Sequence, residues 1–353
     1  MRAGLIIYGS LNTPTGGYLY DRMLVRHLED NGDEVEVMAL HLRRWGLPDN
    51  VDPRLLRRLL ALDADVLLED ELAHPSLCLL NRRLRRSSPT PMVAVVHHLA
   101  YRAERSPPRS AAHRQLERLF LYSVDGFIFN SDATRASVRS LAPWAEGVVA
   151  RPGKDHVTPC HRVPDRGGAP LRVLYLGNVL PHKGLDDLVR AVALLPRGAV
   201  RLEAVGAPLD LQFLIEVQEL VVSAGMEGLV HFHGRLDDRR RDEMLRGCDV
   251  LAVPSYHEGY GLVIVEAMAQ GLPVIAPASG GAGEIVTHGE EGYLLQGGDV
   301  DGMADRLRAL YEDATLRRDM SQRSRRRFDT LPTWEEGMSR AREYLIRVVE
   351  GAR

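Results

Sequence analysis

The chain has 353 residues, 45% of them hydrophobic and 26% charged, with a formal net charge of −3. That length holds about two domains with cores of their own, and the composition excludes a largely disordered chain. The charge balance and the lack of any nucleic-acid-binding signature argue against a nucleic-acid partner. The opening apolar stretch is too short for a signal peptide, and no run approaches the roughly 18 apolar residues of a membrane span, so a cytoplasmic location is expected. Cys78, Cys160 and Cys248 lie far apart without the paired spacing of a zinc or redox site, and read as reduced structural residues.

Short aliphatic runs alternate with amphipathic stretches along the first third. "LIIYG" leads through "SLNTPTGG" to a helix near 18–30, and strands are predicted at "DEVEVMAL", "DVLLE", "MVAVV" and "GFIFN". "VVARPGKDHVTPCHRVPDRGGAP" then breaks the pattern with prolines, glycines and charges, and reads as a domain linker centred on 159–170. Alternation restarts with strands "LRVLYLG", "VRLEAVG", "LVHFHG", "DVLAVPS" and "PVIAP". Helices are predicted from Gly184, near 211–224 and 237–246, over 262–270, and twice between 300 and 328. The final run "TWEEGMSRAREYLIRVVE" is an amphipathic helix expected to pack back on the first domain. This order predicts an α/β fold of two doubly wound, Rossmann-like domains, over residues 1–158 (joined by the 334–353 helix) and 171–333, facing each other across a cleft. Ligands of such folds sit at the carboxyl ends of the strands.

Three glycine loops follow predicted strands: "TPTGG", "GNVLPHKG" and "HEGYG". None has the spacing of a dinucleotide fingerprint or a Walker A loop. The chain has only two lysines, Lys154 and Lys183, and its other 43 basic residues are arginine. A lysine just before a helix, where a cation opposes the dipole, suggests a selected point charge for phosphate. In "SYHEGYGLVIVEAMAQG", glycines at 259 and 261 precede a helix start suited to an anion, yet Glu258 and Glu266 flank it. Glu266 has the wrong sign for a phosphate, so a ribose diol is the expected partner.

"GNVLPHKGLDDLVRA", "HGRLDDRRRDEMLRGCDVLAVPSYHEGYGLVIVEAMAQGLPVIA" and "GGAGEIVTHGEEGYLL" together resemble the C-terminal domain of glycosyltransferase family 4, retaining enzymes of the GT-B fold. The match is dense over 171–300 and weaker before it, resting there on "TPTGG" and "VVHHLA". The resemblance implies a nucleotide-diphosphate sugar as donor substrate, a hydroxyl acceptor, and neither metal nor separate cofactor. It implies that Glu266 holds the donor ribose, while Glu258 faces the transferred sugar with the backbone of Gly259, Tyr260, Gly261 and Leu262. Gly16 and Gly17 would approach the diphosphate, Lys183 would neutralise it, and Gly234 and Arg235 would meet the base. His97, or its neighbour His98, stands where the family places a histidine near the donor sugar. By the resemblance His97, Lys183 and Glu258 are the catalytic set.

One departure is Asn178, where the family commonly carries arginine, leaving Lys183 more of the electrostatic load, with Arg151 or His182 as candidate helpers. "DAD" at 63–65 imitates a metal-binding aspartate pair but reads as a helix end before a strand. The arginine-rich stretches 53–60 and 81–86 read as solvated helix faces that also offer a surface to anionic lipid at the inner face of the membrane. Rival readings are a sugar-nucleotide epimerase or phosphorylase on the same fold, and a non-catalytic nucleotide-sugar-binding protein.

Overall fold

The computed structural model describes residues 1–41, 46–160 and 170–352. It divides into two compact units, residues 1–153 with 332–353, and residues 154–331.

The first unit is built on a six-stranded parallel sheet of β1 (Arg2–Tyr8), β2 (Glu34–Leu40), β3 (Val66–Asp70), β4 (Met92–Val96), β5 (Gly126–Phe129) and β6 (Gly147–Val149), in the order β2-β1-β3-β4-β5-β6. β3 and β4 are buried along their whole length because helices cover both faces, which is why they read as continuous apolar runs. β2 lies at the edge and buries only Met38 and Leu40. Leu5 sits opposite Val37 on one side and Leu68 on the other, so the chain leaves β1 and β3 in opposite directions across the sheet. The loops at the carboxyl ends of these two strands therefore part, and folds of this kind bind ligands where they do.

The C-terminal helix Trp334–Ala352 belongs to this unit. Its close approach demands glycine three times: a Cβ on Gly337 would stand 2.1 Å from Arg151 O, one on Gly153 1.9 Å from Trp334 N, and one on Gly126 2.1 Å from Tyr344 Oη. Arg342 Nε donates to Asp33 Oδ2 at 2.6 Å, and Asp33 also accepts from the N-terminal amine at 2.8 Å. These two cations outweigh burial and hold the Asp33 carboxyl below its usual range.

The second unit carries β7 (Leu171–Leu176), β8 (Val200–Val205), β9 (Val230–Gly234), β10 (Val250–Ala252), β11 (Val274–Pro277) and β12 (Gly292–Leu295), all parallel, in the order β12-β11-β10-β7-β8-β9. Here the order reverses between β7 and β10, so the loops after those two strands diverge.

Several boundaries differ from the sequence reading. β6 falls in the stretch that opened the expected linker: it is three residues at a sheet edge, with Pro152 and Gly153 close behind. β12 lay unrecognised inside "EGYLL". Residues 154–158, expected in the first unit, belong to the second, because Gln270 Nε2 donates to Thr158 O at 3.0 Å, the Cys160 amide donates to Ala269 O at 2.9 Å, and Lys154 Nζ donates to Asp329 O. Apart from its ends, the 159–170 linker lies outside the described residues. Cys78, Cys160 and Cys248 are unbridged. Among the described residues, no helix is long and apolar enough to cross a membrane.

Candidate functional site

In the second unit the loops after β7 and β10 bring Lys183 and Glu258 together, with Lys183 Nζ donating to Glu258 Oε2 at 2.9 Å. Both side chains are half-buried. Lys183 closes a single turn, Pro181–Lys183, and Gly184 then adopts φ 68 to start the helix Leu185–Ala193 one residue later than expected. A side chain at Gly184 is excluded twice, by that φ and by Pro254 O, 2.2 Å from where its Cβ would be. The Tyr256 amide donates to His182 O at 3.0 Å, tying the two loops together through the backbone.

Glu258 is held from behind by the turn after β11. Its amide donates to Ser279 O at 3.2 Å, its carbonyl accepts from the Gly281 amide at 2.8 Å, and His257 Nδ1 lies 2.8 Å from Ser279 Oγ. Gly259 and Tyr260 are buried beneath it. Gly261 takes φ 102 and begins the helix Leu262–Ala269, whose first amides no side chain caps. An uncapped helix start facing a loop with a lysine suits an anion.

Glu266 is 6% exposed and stands between two nitrogen-bearing side chains: His156 Nε2 lies 3.7 Å from Oε1 and Arg241 Nε 3.7 Å from Oε2. The sequence reading named neither. His156 follows the crossing into the second unit, and Arg241 belongs to the helix Asp238–Gly247, where it looks like any arginine of "DRRRDE".

Gly177 and Asn178 sit at the end of β7, where Tyr175 Oη donates to Asn178 O at 2.8 Å. Burial pushes the Tyr175 hydroxyl pKa up, and the charges of Glu258 and Asp186 add to that. The Gly206 amide donates to Gly234 O at 2.8 Å, and a Cβ on Gly206 would come within 1.8 Å of Gly177 O, so the ends of β7, β8 and β9 lie close. Gly234 has φ 63, and Arg235 is exposed beside it.

The first unit holds a separate cluster. Gly16 and Gly17 open the helix Gly16–Asp30, where Thr15 Oγ1 accepts from the Tyr18 amide. A Cβ on Gly17 would stand 3.3 Å from His97 Cδ2. His97, just past β4, is buried and its Nε2 lies 3.1 Å from Asp21 Oδ1; His98 is half-buried. Burial pulls the His97 pKa down, but Asp21, Asp70 and Glu71 outweigh it and raise the value to about 9. Arg151 pairs with Asp132 in this unit. Asp63 and Asp65 of "DAD" both engage Arg2, Asp65 by accepting from its amide at 2.8 Å. Among the described residues, the groupings able to offer metal ligands are instead Asp21, Asp70 and His97, and Glu71, His74 and Glu117, whose ligand atoms lie within 4.8 Å of one another. Sequence spacing gave no sign of either.

Two parallel six-stranded α/β units are the two-domain architecture of the GT-B fold. Over all of both chains the structure is similar to sucrose-phosphate synthase from Thermosynechococcus elongatus, at TM-score 0.83 and 22% identity. Anabaena HepE in complex with UDP and glucose matches at TM-score 0.78 and 20% identity, covering 98% of this chain and 100% of that one. Residues 161–327 match the family described as Glycosyl transferases group 1, and residues 29–156 match Glycosyltransferase Family 4. The chain belongs to these glycosyltransferases. It is 33% identical over 259 residues to D-inositol 3-phosphate glycosyltransferase of Corynebacterium efficiens, covering 66% of this chain and 60% of that protein. The enzyme of the same name from Arthrobacter sp. is 32% identical over 247 residues, covering 65% and 57%. The chain thus spans about 60% of the length of the curated relatives it matches.

Proposed function

We propose that this chain transfers a sugar from a nucleotide-diphosphate sugar to an acceptor hydroxyl with retention of anomeric configuration. The observation that carries the reading is the Lys183–Glu258 pair beside the uncapped helix start at Gly261. Leaving-group departure is the hard step, because negative charge collects on the diphosphate as the sugar becomes oxocarbenium-like. Lys183 and the first amides of Leu262–Ala269 stabilise that charge, and Glu258 with Gly259 and Tyr260 holds the sugar. Glu266 takes the ribose diol, Asn178 supports the phosphates, and Gly234 and Arg235 flank the base. His97, Gly16 and Gly17 of the first unit serve the donor by family resemblance. No side chain stands out as a covalent nucleophile, so the acceptor attacks from the face that the diphosphate leaves.

UDP-glucose is the first donor to test, because HepE is seen with UDP and glucose, and inositol 3-phosphate is the first acceptor, because the relatives are named for it. Thermal-shift titration with UDP-, GDP- and ADP-sugars reads donor choice, since a ligand that binds only the native state raises its stability. Proton NMR of the product reads the anomer. Turnover of donor without acceptor into a new sugar nucleotide would replace transfer by epimerisation. Activity is expected to survive excess EDTA; loss restored by magnesium or manganese would overturn a leaving group stabilised by lysine and backbone. Arg54, Arg57 and Arg58 line the exposed side of the helix Pro53–Leu60, whose Leu55 and Leu59 are buried. With Arg82 and Arg86 they form the surface proposed to meet anionic lipid, and sedimentation with phosphatidylglycerol vesicles tests it.

A further inference from the structure

Asp21, Asp70 and His97 come from three places in the first unit: the second turn of the helix Gly16–Asp30, the end of β3, and the end of β4. They meet at the switch point of the sheet, with ligand-type atoms within 4.8 Å of one another. Asp21 is fully buried, and its Oδ1 lies 3.1 Å from His97 Nε2. Its Oδ2 and Asp70 Oδ2 are buried without hydrogen-bond partners. Burying carboxylates in this way is costly unless a cation lies beside them. The ring between them is fixed on its other sides: Tyr20 meets it edge-on at 5.2 Å, Gly17 leaves room at Cδ2, and Asn130 Nδ2 donates to His97 O at 2.7 Å.

We propose that Asp21 is the positioning residue of His97, holding its ring by Nε2–H so that His97 works as a permanent imidazolium donor through Nδ1–H and never as a base. The inference rests on the reading that His97 serves the transfer. The titratable groups facing the ring are Asp21 and Tyr20 from the helix, Asp70 at the end of β3 and Glu71 just after it; each of these carboxyl groups, when ionised, favours the charged form of the ring. Asp70 is itself pushed up to about 7, by burial first and by Asp21 second. It therefore shares protons readily near neutrality, while Asp21 makes the direct contact. The same three side chains could instead hold a cation, but a metal on Nε2 would require that nitrogen to lose its proton.

The test has one arm without activity. In wild-type protein at pH 7.5, side-chain nitrogen-15 NMR should show His97 with both ring nitrogens protonated, and in Asp21→Asn the ring should titrate near the ordinary value of about 6.5. A neutral His97 in the wild type at pH 7.5, or stoichiometric metal in the purified protein, would overturn the proposal whether or not the chain transfers sugar. The second arm is the pH profile of kcat/KM. Wild type should show no loss between pH 6 and 8, whereas Asp21→Asn should fall by at least about tenfold at pH 8 and recover part of this below pH 6.5, as the ring regains its proton. A uniform loss at every pH would mark Asp21 as merely structural. If Asp21→Asn does not fold, the wild-type NMR measurement still decides.

Discussion

Lys183 Nζ donates to Glu258 Oε2 at 2.9 Å, which joins the cation expected on the donor diphosphate to the acid expected on the donor sugar. The pair is half-buried, at 26% and 17% side-chain exposure, so solvent screens it and it adds little to stability. It sets where the ammonium sits before any donor arrives. Lys183→Arg is therefore not conservative: a planar guanidinium would grip Glu258 in two places and overrun a phosphate oxygen. We expect kcat/KM for donor to fall by at least about tenfold, or roughly 1.4 kcal/mol of transition-state stabilisation. Asn178 leaves space where relatives carry arginine, and near wild-type kinetics in a variant shown by circular dichroism to be folded would make Lys183 a replaceable cation.

Glu258→Gln separates the two halves of the pair. Removing a carboxylate from beside the proposed diphosphate site should ease repulsion and release Lys183 toward the phosphate. Nucleoside diphosphate should bind as tightly as in wild type or tighter, while turnover drops by about 10- to 100-fold through lost contacts to the sugar. Calorimetry and steady-state kinetics read the two effects. Weaker binding with unchanged turnover would place Glu258 outside the sugar site.

Glu266 between His156 and Arg241 requires a sharper ribose test than simple deletion. Glu266→Ala leaves those two side chains without their acid, so part of any change in affinity is electrostatic. The comparison to make is UDP against 2′,3′-dideoxy-UDP. Wild type should favour UDP by about 1–3 kcal/mol for a charged hydrogen bond, and the variant should lose that preference. A preference that survives in Glu266→Ala would sink the ribose assignment.

The first unit should weaken as the solution turns alkaline. Burial raises Glu69 to about 8 and, with smaller charge effects, Asp70 to about 7, Glu71 to about 8 and Glu117 to about 9. His97 rises to about 9 because its acidic neighbours outweigh burial. All five bind protons more tightly folded than unfolded. Each therefore contributes stability that is complete below its unfolded pKa and lost as pH rises through its folded value. The window runs from about pH 4.5, for the carboxyl groups, to about pH 9. Scanning calorimetry of the full chain should show one transition moving to lower temperature between pH 5 and 9. Glu71→Gln, which removes one such group, should flatten that slope; a transition that stays put or rises would count against proton-holding carboxyls.

Most of the architecture was legible because it is written in local patterns. Parallel strands covered on both faces must be continuously apolar, so β1, β3, β4, β7 and β10 announce themselves, while short edge strands such as β6 and β12 do not. Glycine before a helix and one of only two lysines among many arginines marked Lys183, Glu258 and Glu266, because turn chemistry and charge type are properties of a residue and its near neighbours. Which distant residues would meet was set by the order of strand crossovers. Asp21 reads in "YDRMLVRHLED" as an ordinary helical acid, and only the reversal between β1 and β3 turns it inward onto His97. His156 looks like linker and reaches Glu266 because residues 154–160 fold onto the second unit, while Arg241 looks like surface and reaches it from the helix Asp238–Gly247 of that same unit. Residue chemistry and near-neighbour spacing determined the candidates; the tertiary structure decided their partners, since a hydrogen bond or ion pair depends on distances of a few ångströms that sequence separation does not encode.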